Sequence, residues 1–376
     1  MWNEYYTVRD LDEAVALLDE YRERARIVAG GTDMLIEKER GARAEVEALI
    51  DITRVPNLDM ITVMAGRVRL GPLVTHNHVV GDVRMAEVAL PLVQACWEVG
   101  APQIRNRATI AGNLITASPA NDSITPLMAL GAEIHLRSVR GDRVVPIEDF
   151  YTGFRQTAMQ SDELLTAIEF PALGDDQAAA FYKLGLRRAQ AISVVNATVI
   201  LTRDGDTVTD AQITLGSVAP TIIRVPDAEA ALVGQVLTDE TIRVAARAAA
   251  DTPTPIDDVR GTAVYRTEMV AVLVARLLRR CAANEHTSVK PWGNAPAMLW
   301  GEQRGTVSVP LVEGFHHNED TVIETRINGE QVTIPTGQDV TLLDFLRDHA
   351  GLRGSKVGCS EGECGACTIF LDGAAV

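Results

Sequence analysis

The densest group of reactive side chains lies near the C-terminal end, where KVGCSEGECGACT sets Cys359, Cys364 and Cys367 in a Cys-x4-Cys-x2-Cys spacing. Thiolates hold iron well, and this is a spacing at which cysteines carry [2Fe–2S] clusters. Gly358, Gly362 and Gly365 lie between and beside them, which suits a loop that must wrap a cluster closely and turn its N–H groups toward sulfur. Structural zinc sites usually take two Cys-x2-Cys pairs, and only one is present here. The remaining cysteines, Cys96 and Cys281, sit in apolar helical patterns and read as small hydrophobes.

Two glycine-bearing segments form a second group. VAGGTDM (28–34) and TIAGN (109–113) each follow an apolar run. Glycine lets a main chain approach a pyrophosphate, and free N–H groups then solvate its oxygens. Neither segment is GxGxxG, so no Rossmann fingerprint is claimed, and taken alone each is first of all a tight turn. His76 and His78 read as solvated or core-satisfied, and His316 and His317 as incidental. No Ser/His/Asp arrangement and no paired carboxylates set for acid–base work stand out. That pattern suits redox chemistry carried by cofactors.

The elements that must position these groups can be read from periodicity. Residues 10–24 predict a helix capped by Asp10, and 26–29, 48–52 and 67–71 predict strands. A helix is expected over 90–99, with Pro91 in its first turn. Residues 103–136 place the polar segments AGN and SPANDS between apolar runs. A strand at 164–170 ends at Pro171, and GDDQAAA at 174–180 marks a boundary. Beyond it come strands at 194–201 and 212–216 joined by a hairpin at 204–206, then helices at 239–250 and 262–283. Residues 286–321, rich in Pro, Gly, His and Trp, read as a linker. A third unit opens at 322, with a turn at Asn328-Gly329 and a helix over 342–349.

Composition narrows the function classes. The chain has 376 residues, a net charge of −16 and 5% aromatics, with 47% hydrophobic residues overall. So acidic a surface, with no basic stripe, repels phosphate backbones, and nucleic acid is excluded as a partner. No apolar run is long enough for a transmembrane helix, and residues 1–20 contain no secretory signal. A cytoplasmic location is expected.

KVGCSEGECGACT resembles the first cluster motif in the iron–sulfur domain of the xanthine dehydrogenase family, where a fourth cysteine follows. The chain stops at Val376, so the resemblance implies an incomplete cluster domain whose fourth ligand is missing. AGGTDMLI and TIAGNLITASPANDS resemble the two FAD-binding turns of the flavoprotein subunits of the xanthine dehydrogenase and aerobic carbon monoxide dehydrogenase family. DELLTAIEFP, FYKLGLRRAQAIS and YRTEMVAVLVAR follow in that family's order.

The resemblance implies that Ile27, Val28, Ala29, Gly30, Gly31, Thr32, Asp33 and Met34 wrap the pyrophosphate and ribose of a non-covalent FAD. It sets Thr109, Gly112, Asn113 and Thr116 at the phosphates, with Ala111 where the family often has glycine. Asp122 would bind a ribityl or ribose hydroxyl, Leu165 would lie near the isoalloxazine, and Lys183 near the flavin's edge. Gln190 stands where xanthine dehydrogenases carry an acidic residue.

The implied fold class is α/β and α+β multidomain. A vanillyl-alcohol-oxidase-like (PCMH-type) FAD-binding domain would span 1–174 and a CO-dehydrogenase-flavoprotein C-terminal-like domain 175–285. The linker and a truncated β-grasp ferredoxin-like domain over 322–376 would follow. The implied function is electron transfer in a molybdenum hydroxylase hetero-oligomer. Electrons would pass from a separate molybdenum-cofactor subunit through [2Fe–2S] clusters, including a remaining iron–sulfur domain or subunit, to FAD and on to NAD, quinone or oxygen. A cofactor-depleted scaffold and a self-contained flavin oxidase or reductase are the alternatives.

Overall fold

Short apolar strands alternate with helices at the N-terminus, and each helix buries the face its periodicity marks. The computed structural model describes residues 3–283, 315–318, 320–360, 364–371 and 374–375. Asp10 caps the first helix, Leu11–Tyr21, by accepting the Glu13 N–H at 2.9 Å. Ala14, Val15 and Leu18 then pack on Ala25, Ala48 and Ile50. Those last three belong to a sheet in which Ala48–Asp51 runs parallel to both Glu4–Thr7 and Ala25–Val28. A fourth strand, Phe315–Asn318, pairs antiparallel with Glu4–Thr7. It falls in the stretch expected to be linker, most of which (286–314) lies outside the described residues.

A second sheet, all antiparallel, runs in the order Ile61–Met64, Arg67–Leu70, Leu164–Pro171, Glu133–Ser138, Gly141–Pro146. Val68, Leu70, Ile134, Leu136, Ile168 and Phe170 point from it into the core. The polar-and-apolar stretch after residue 100 forms three short helices, Pro102–Arg107, Ile110–Thr116 and Ile124–Ala129. Local caps explain two of them: Pro102 stands in the first turn of one, and the Thr109 side chain caps the next.

The boundary expected at 174–180 is narrower than the sequence suggests. Gln177–Gly185 is a strand, although three alanines open it and alanine has little intrinsic strand preference. Tertiary packing decides. Ala179 enters the core of the first unit, while Ala178 and Ala180 enter the core of the second, so small side chains let two layers approach one strand. The second unit continues as an antiparallel sheet with Ser193–Asp204, Thr207–Gly216 and Ile223–Arg224. Helices Asp239–Asp251 and Ala263–Ala282 pack on it through Ile242, Ala246, Val270, Leu273 and Leu277.

The C-terminal unit opens with a hairpin, Ile323–Ile327 and Glu330–Ile334. Asn328 and Gly329 turn it at φ 52° and 90°, the positive angles of a tight type I′ turn. A helical turn at Leu342–Asp344 continues as π-helix over Phe345–His349. The whole is a multidomain α/β and α+β architecture. Among the described residues no helix is long and apolar enough to cross a membrane.

Candidate functional site

The first glycine segment leaves strand Ala25–Val28 at its C-terminal end, the end at which parallel sheets bind ligands. Gly31 has φ 72°, a region that costs any other residue about 1–2 kcal/mol. Gly30 answers a different demand. A Cβ there would come closer than 3.0 Å to the Arg107 carbonyl oxygen and to 3.0 Å from the Ala108 Cα. The first glycine segment is therefore pressed onto the main chain leading into the second.

That main chain is itself pinned. His76 N–H donates to the Ala108 carbonyl at 3.2 Å and Ile110 N–H to the Val74 carbonyl at 2.9 Å. The second segment is not the free turn expected from its glycine. It is the first turn of Ile110–Thr116, where Thr109 Oγ1 accepts the Gly112 N–H at 2.9 Å and Asn113 N–H donates to the Thr109 carbonyl at 3.0 Å. Ala111 is 4% exposed and belongs to the core; a helical position has no need of glycine. Thr116 Oγ1 donates back to the Gly112 carbonyl at 2.9 Å. Asn113 organises the SPANDS turn, its carbonyl accepting Asn121 Nδ2 at 2.7 Å and its Oδ1 accepting Ser123 Oγ at 2.6 Å.

The SPANDS turn delivers Asp122 to Lys183, a residue of strand Gln177–Gly185. Lys183 Nζ lies 2.6 Å from Asp122 Oδ2, with the two side chains 5% and 6% exposed. It also donates to the Glu98 carbonyl at 2.9 Å. Asp122 Oδ1 accepts Ser193 Oγ at 2.5 Å and Asn196 Nδ2 at 3.0 Å. Removing one partner of such a pair leaves a buried charge, at a cost of about 3–5 kcal/mol. Ser193 and Asn196 are site residues the sequence reading missed. Their signal is faint but present: they are two of the three polar residues in the buried run SVVNATVIL.

The other expected contacts are placed as follows. Ile27, Val28, Ala29, Gly30, Gly31, Thr32 and Met34 are half-buried along the first segment, and Asp33 is exposed. Leu165 is 2% exposed and points into the core. The strand pairing shifts register between Leu165 and Ala167. His78 is satisfied, its Nδ1 accepting the Thr75 N–H at 3.3 Å. His76 is neither solvated nor satisfied. It is fully buried, and neither ring nitrogen has a hydrogen-bond partner among the described residues. Burial, with the positive charges of Arg105 and Lys183 adding to it, pushes its pKa down to about 3, so the ring is neutral.

In the cysteine loop, Cys364 N–H donates to Cys359 Sγ at 3.4 Å and Ala366 N–H to Cys364 Sγ at 3.5 Å. A Cβ on Gly358 would overlap the Cys364 sulfur, and Gly365 has φ 73°. Gly365 also rests on helix Pro102–Arg107, where a Cβ would lie 2.7 Å from Gln103 Nε2. Thiols ringed by glycine and main-chain N–H groups fit an iron–sulfur cluster. Among the described residues no three Cys, His, Asp or Glu side chains converge as a metal site; residues 361–363 of the same loop lie outside them. Cys367 is exposed. Cys96 and Cys281 are buried in separate cores, and burial pushes the Cys281 thiol up to about 12. For FAD, the residues also fit. A cradle closed to any side chain larger than glycine joins the two segments, and a buried lysine–aspartate pair stands beside them.

Comparison with known proteins agrees with this arrangement. Residues 2–173 match the family model of the FAD binding domain in molybdopterin dehydrogenase. Residues 180–281 match the CO dehydrogenase flavoprotein C-terminal domain, and 325–376 the 2Fe-2S iron-sulfur cluster binding domain. The chain is 33% identical to the carbon monoxide dehydrogenase medium chain of Hydrogenophaga pseudoflava, over 74% of this chain and 98% of that one. It is 32% identical to the nicotinate dehydrogenase FAD-subunit of Eubacterium barkeri, over 73% and 94%. Among solved structures, carbon monoxide dehydrogenase from Hydrogenophaga pseudoflava superposes with a TM-score of 0.72 at 32% identity, covering 77% of this chain and 99% of that chain. Quinoline 2-oxidoreductase from Pseudomonas putida 86 gives 0.71 at 26% identity, covering 76% and 98%.

Proposed function

This chain belongs to the FAD-binding medium-subunit family of the carbon monoxide and xanthine dehydrogenases, and from that premise we propose that it is the electron-transfer subunit of a molybdenum hydroxylase. In this reading it assembles with a molybdenum-cofactor subunit and the rest of an iron–sulfur domain or subunit. Electrons from the substrate reach its flavin through [2Fe–2S] clusters and leave to NAD, quinone or oxygen.

The observation that carries the reading is the meeting of the two glycine segments at Gly30 and Arg107. The 27–34 segment would hold the pyrophosphate and ribose. Thr109 would turn its hydroxyl proton toward the phosphates, Thr116 would brace the Gly112 main chain beside them, and Asn113 would keep the Asp122 turn in place. Lys183 would hold a positive charge at the flavin's edge. Bound FAD supplies the junction between one-electron and two-electron transfer. Cys359, Cys364 and Cys367 would donate thiolates to the cluster.

No His or Cys lies in either flavin segment, so attachment is non-covalent. The test is the flavin content of the purified full chain before and after acid precipitation. One FAD per chain, all released to the supernatant, is expected. A colourless protein that takes up no added FAD overturns the proposal, and colour retained in the pellet overturns non-covalent binding.

A further inference from the structure

The turn that carries Asp122 is enclosed by a ring of hydrogen bonds drawn from four distant segments. Asp122 Oδ1 accepts Ser193 Oγ. The Ser193 carbonyl accepts Arg260 Nη1 at 2.8 Å. Arg260 is gripped by Asp258, through Nε at 3.1 Å, Nη2 at 2.6 Å and its main-chain N–H at 2.8 Å. Asp258 also receives Arg266 Nη2. Arg266 Nη1 donates to the Ser217 carbonyl at 2.9 Å, and the Ser217 N–H donates to the Pro119 carbonyl at 2.7 Å. Pro119 and Asp122 share one turn, so the ring closes where it began.

The components are costly ones for mere packing. The Arg266 side chain is 1% exposed, and a buried arginine loses hydration that its partners must replace. Ser217 is held at φ 67°, a conformation unusual for a residue other than glycine. The Arg260 and Arg266 guanidiniums hold the Asp258 carboxyl well below the usual carboxylate range, so it stays ionised as their partner. Each link constrains the next, and the ring ends on the carboxylate that holds Lys183.

We infer that Arg260, braced by Asp258 and Arg266, is a positioning residue that fixes the Asp122–Lys183 pair and so sets where the Lys183 ammonium stands at the flavin's edge. The clamp stands on the contacts above; its role toward the flavin rests on the function proposed in the preceding subsection. Without Arg260, Ser193 drifts and Asp122 loses a donor. The Asp122 carboxylate then swings out of place and its grip on Lys183 loosens, so the ammonium leaves the flavin's edge.

The test uses the full chain and two readouts. In flavin-free protein, acylation of lysines is followed by mass spectrometry, with exposed Lys356 as internal reference. Arg260→Gln should label Lys183 about tenfold faster than wild type with Lys356 unchanged, and Arg260→Lys should recover part of the protection. In flavin-loaded protein, the same variant should favour the reduced flavin about tenfold less, which lowers its two-electron midpoint by about 30 mV. Asp258→Asn serves if Arg260→Gln does not fold, with the same expected shifts. Unchanged Lys183 labelling overturns the clamp. Faster labelling with an unmoved potential upholds the clamp and overturns the placement of the pair at the flavin.

Discussion

Replacing Gly30 by alanine adds one carbon where the two flavin segments touch. The new atom would fall within 3.0 Å of the Arg107 carbonyl oxygen and 3.0 Å from both the Arg107 carbonyl carbon and the Ala108 Cα. Ordinary van der Waals contact requires more room, and the neighbour is main chain, so no rotamer change relieves the overlap. Nor can that main chain drift easily. Ala108 is bonded on both sides, its N–H donating to the Ile104 carbonyl at 2.7 Å and its carbonyl accepting the His76 N–H at 3.2 Å. Overpacking against a fixed neighbour costs about 1–3 kcal/mol, which lowers the melting temperature by about 2–4 °C per kcal/mol in a unit of this size. If the pyrophosphate is shared between the segments, forcing them apart also weakens FAD binding, about tenfold for each 1.4 kcal/mol lost. Titration of flavin-free Gly30→Ala with FAD, followed by flavin fluorescence beside a thermal melt, measures both effects. An unchanged melt together with wild-type affinity would falsify the account of this contact.

Gly31→Val should cost FAD occupancy before it costs folding, because a β-branched residue resists φ 72°; wild-type flavin content in a folded variant refutes it. His76 binds no proton in the folded protein until about pH 3, whereas the unfolded chain binds one below about 6.5. Stability therefore falls as pH drops from 6.5 toward 3, by up to about 5 kcal/mol. His76→Leu should flatten denaturant midpoints across that range, and an unaltered slope would show the histidine is not responsible. Substituting alanine for Cys359, Cys364 or Cys367 should remove iron and acid-labile sulfide while leaving flavin content alone. Iron retained in all three variants would show that other ligands hold it.

Where local chemistry decides the structure, the sequence is informative. Asp10 announces a helix start, Asn328-Gly329 a hairpin, and the three cysteines a sulfur-rich loop. Gly112 misled because glycine suggests a turn, while the cap that makes a helix there belongs to Thr109. The strand Gln177–Gly185 was hidden by alanines whose role is set by two layers packing on it. Asp122 and Lys183 were each named through a family resemblance, yet their direct pairing spans 61 residues of sequence. In the ring that closes through Arg260, the links from Asp122 to Ser193, Ser193 to Arg260 and Ser217 to Arg266 span 71, 67 and 49 residues. Such pairings follow from how the units dock, which no local pattern encodes.

Strand Glu4–Thr7 lies inside its sheet, between Ala48–Asp51 and Phe315–Asn318. During synthesis its first neighbour emerges early, but the second leaves the ribosome only roughly three hundred residues later, about 15–60 s at common elongation rates. Throughout that interval the nascent chain carries an open strand edge that can recruit other chains. The final strand acts as a late seal, and the timing of translation governs how long that edge stays open.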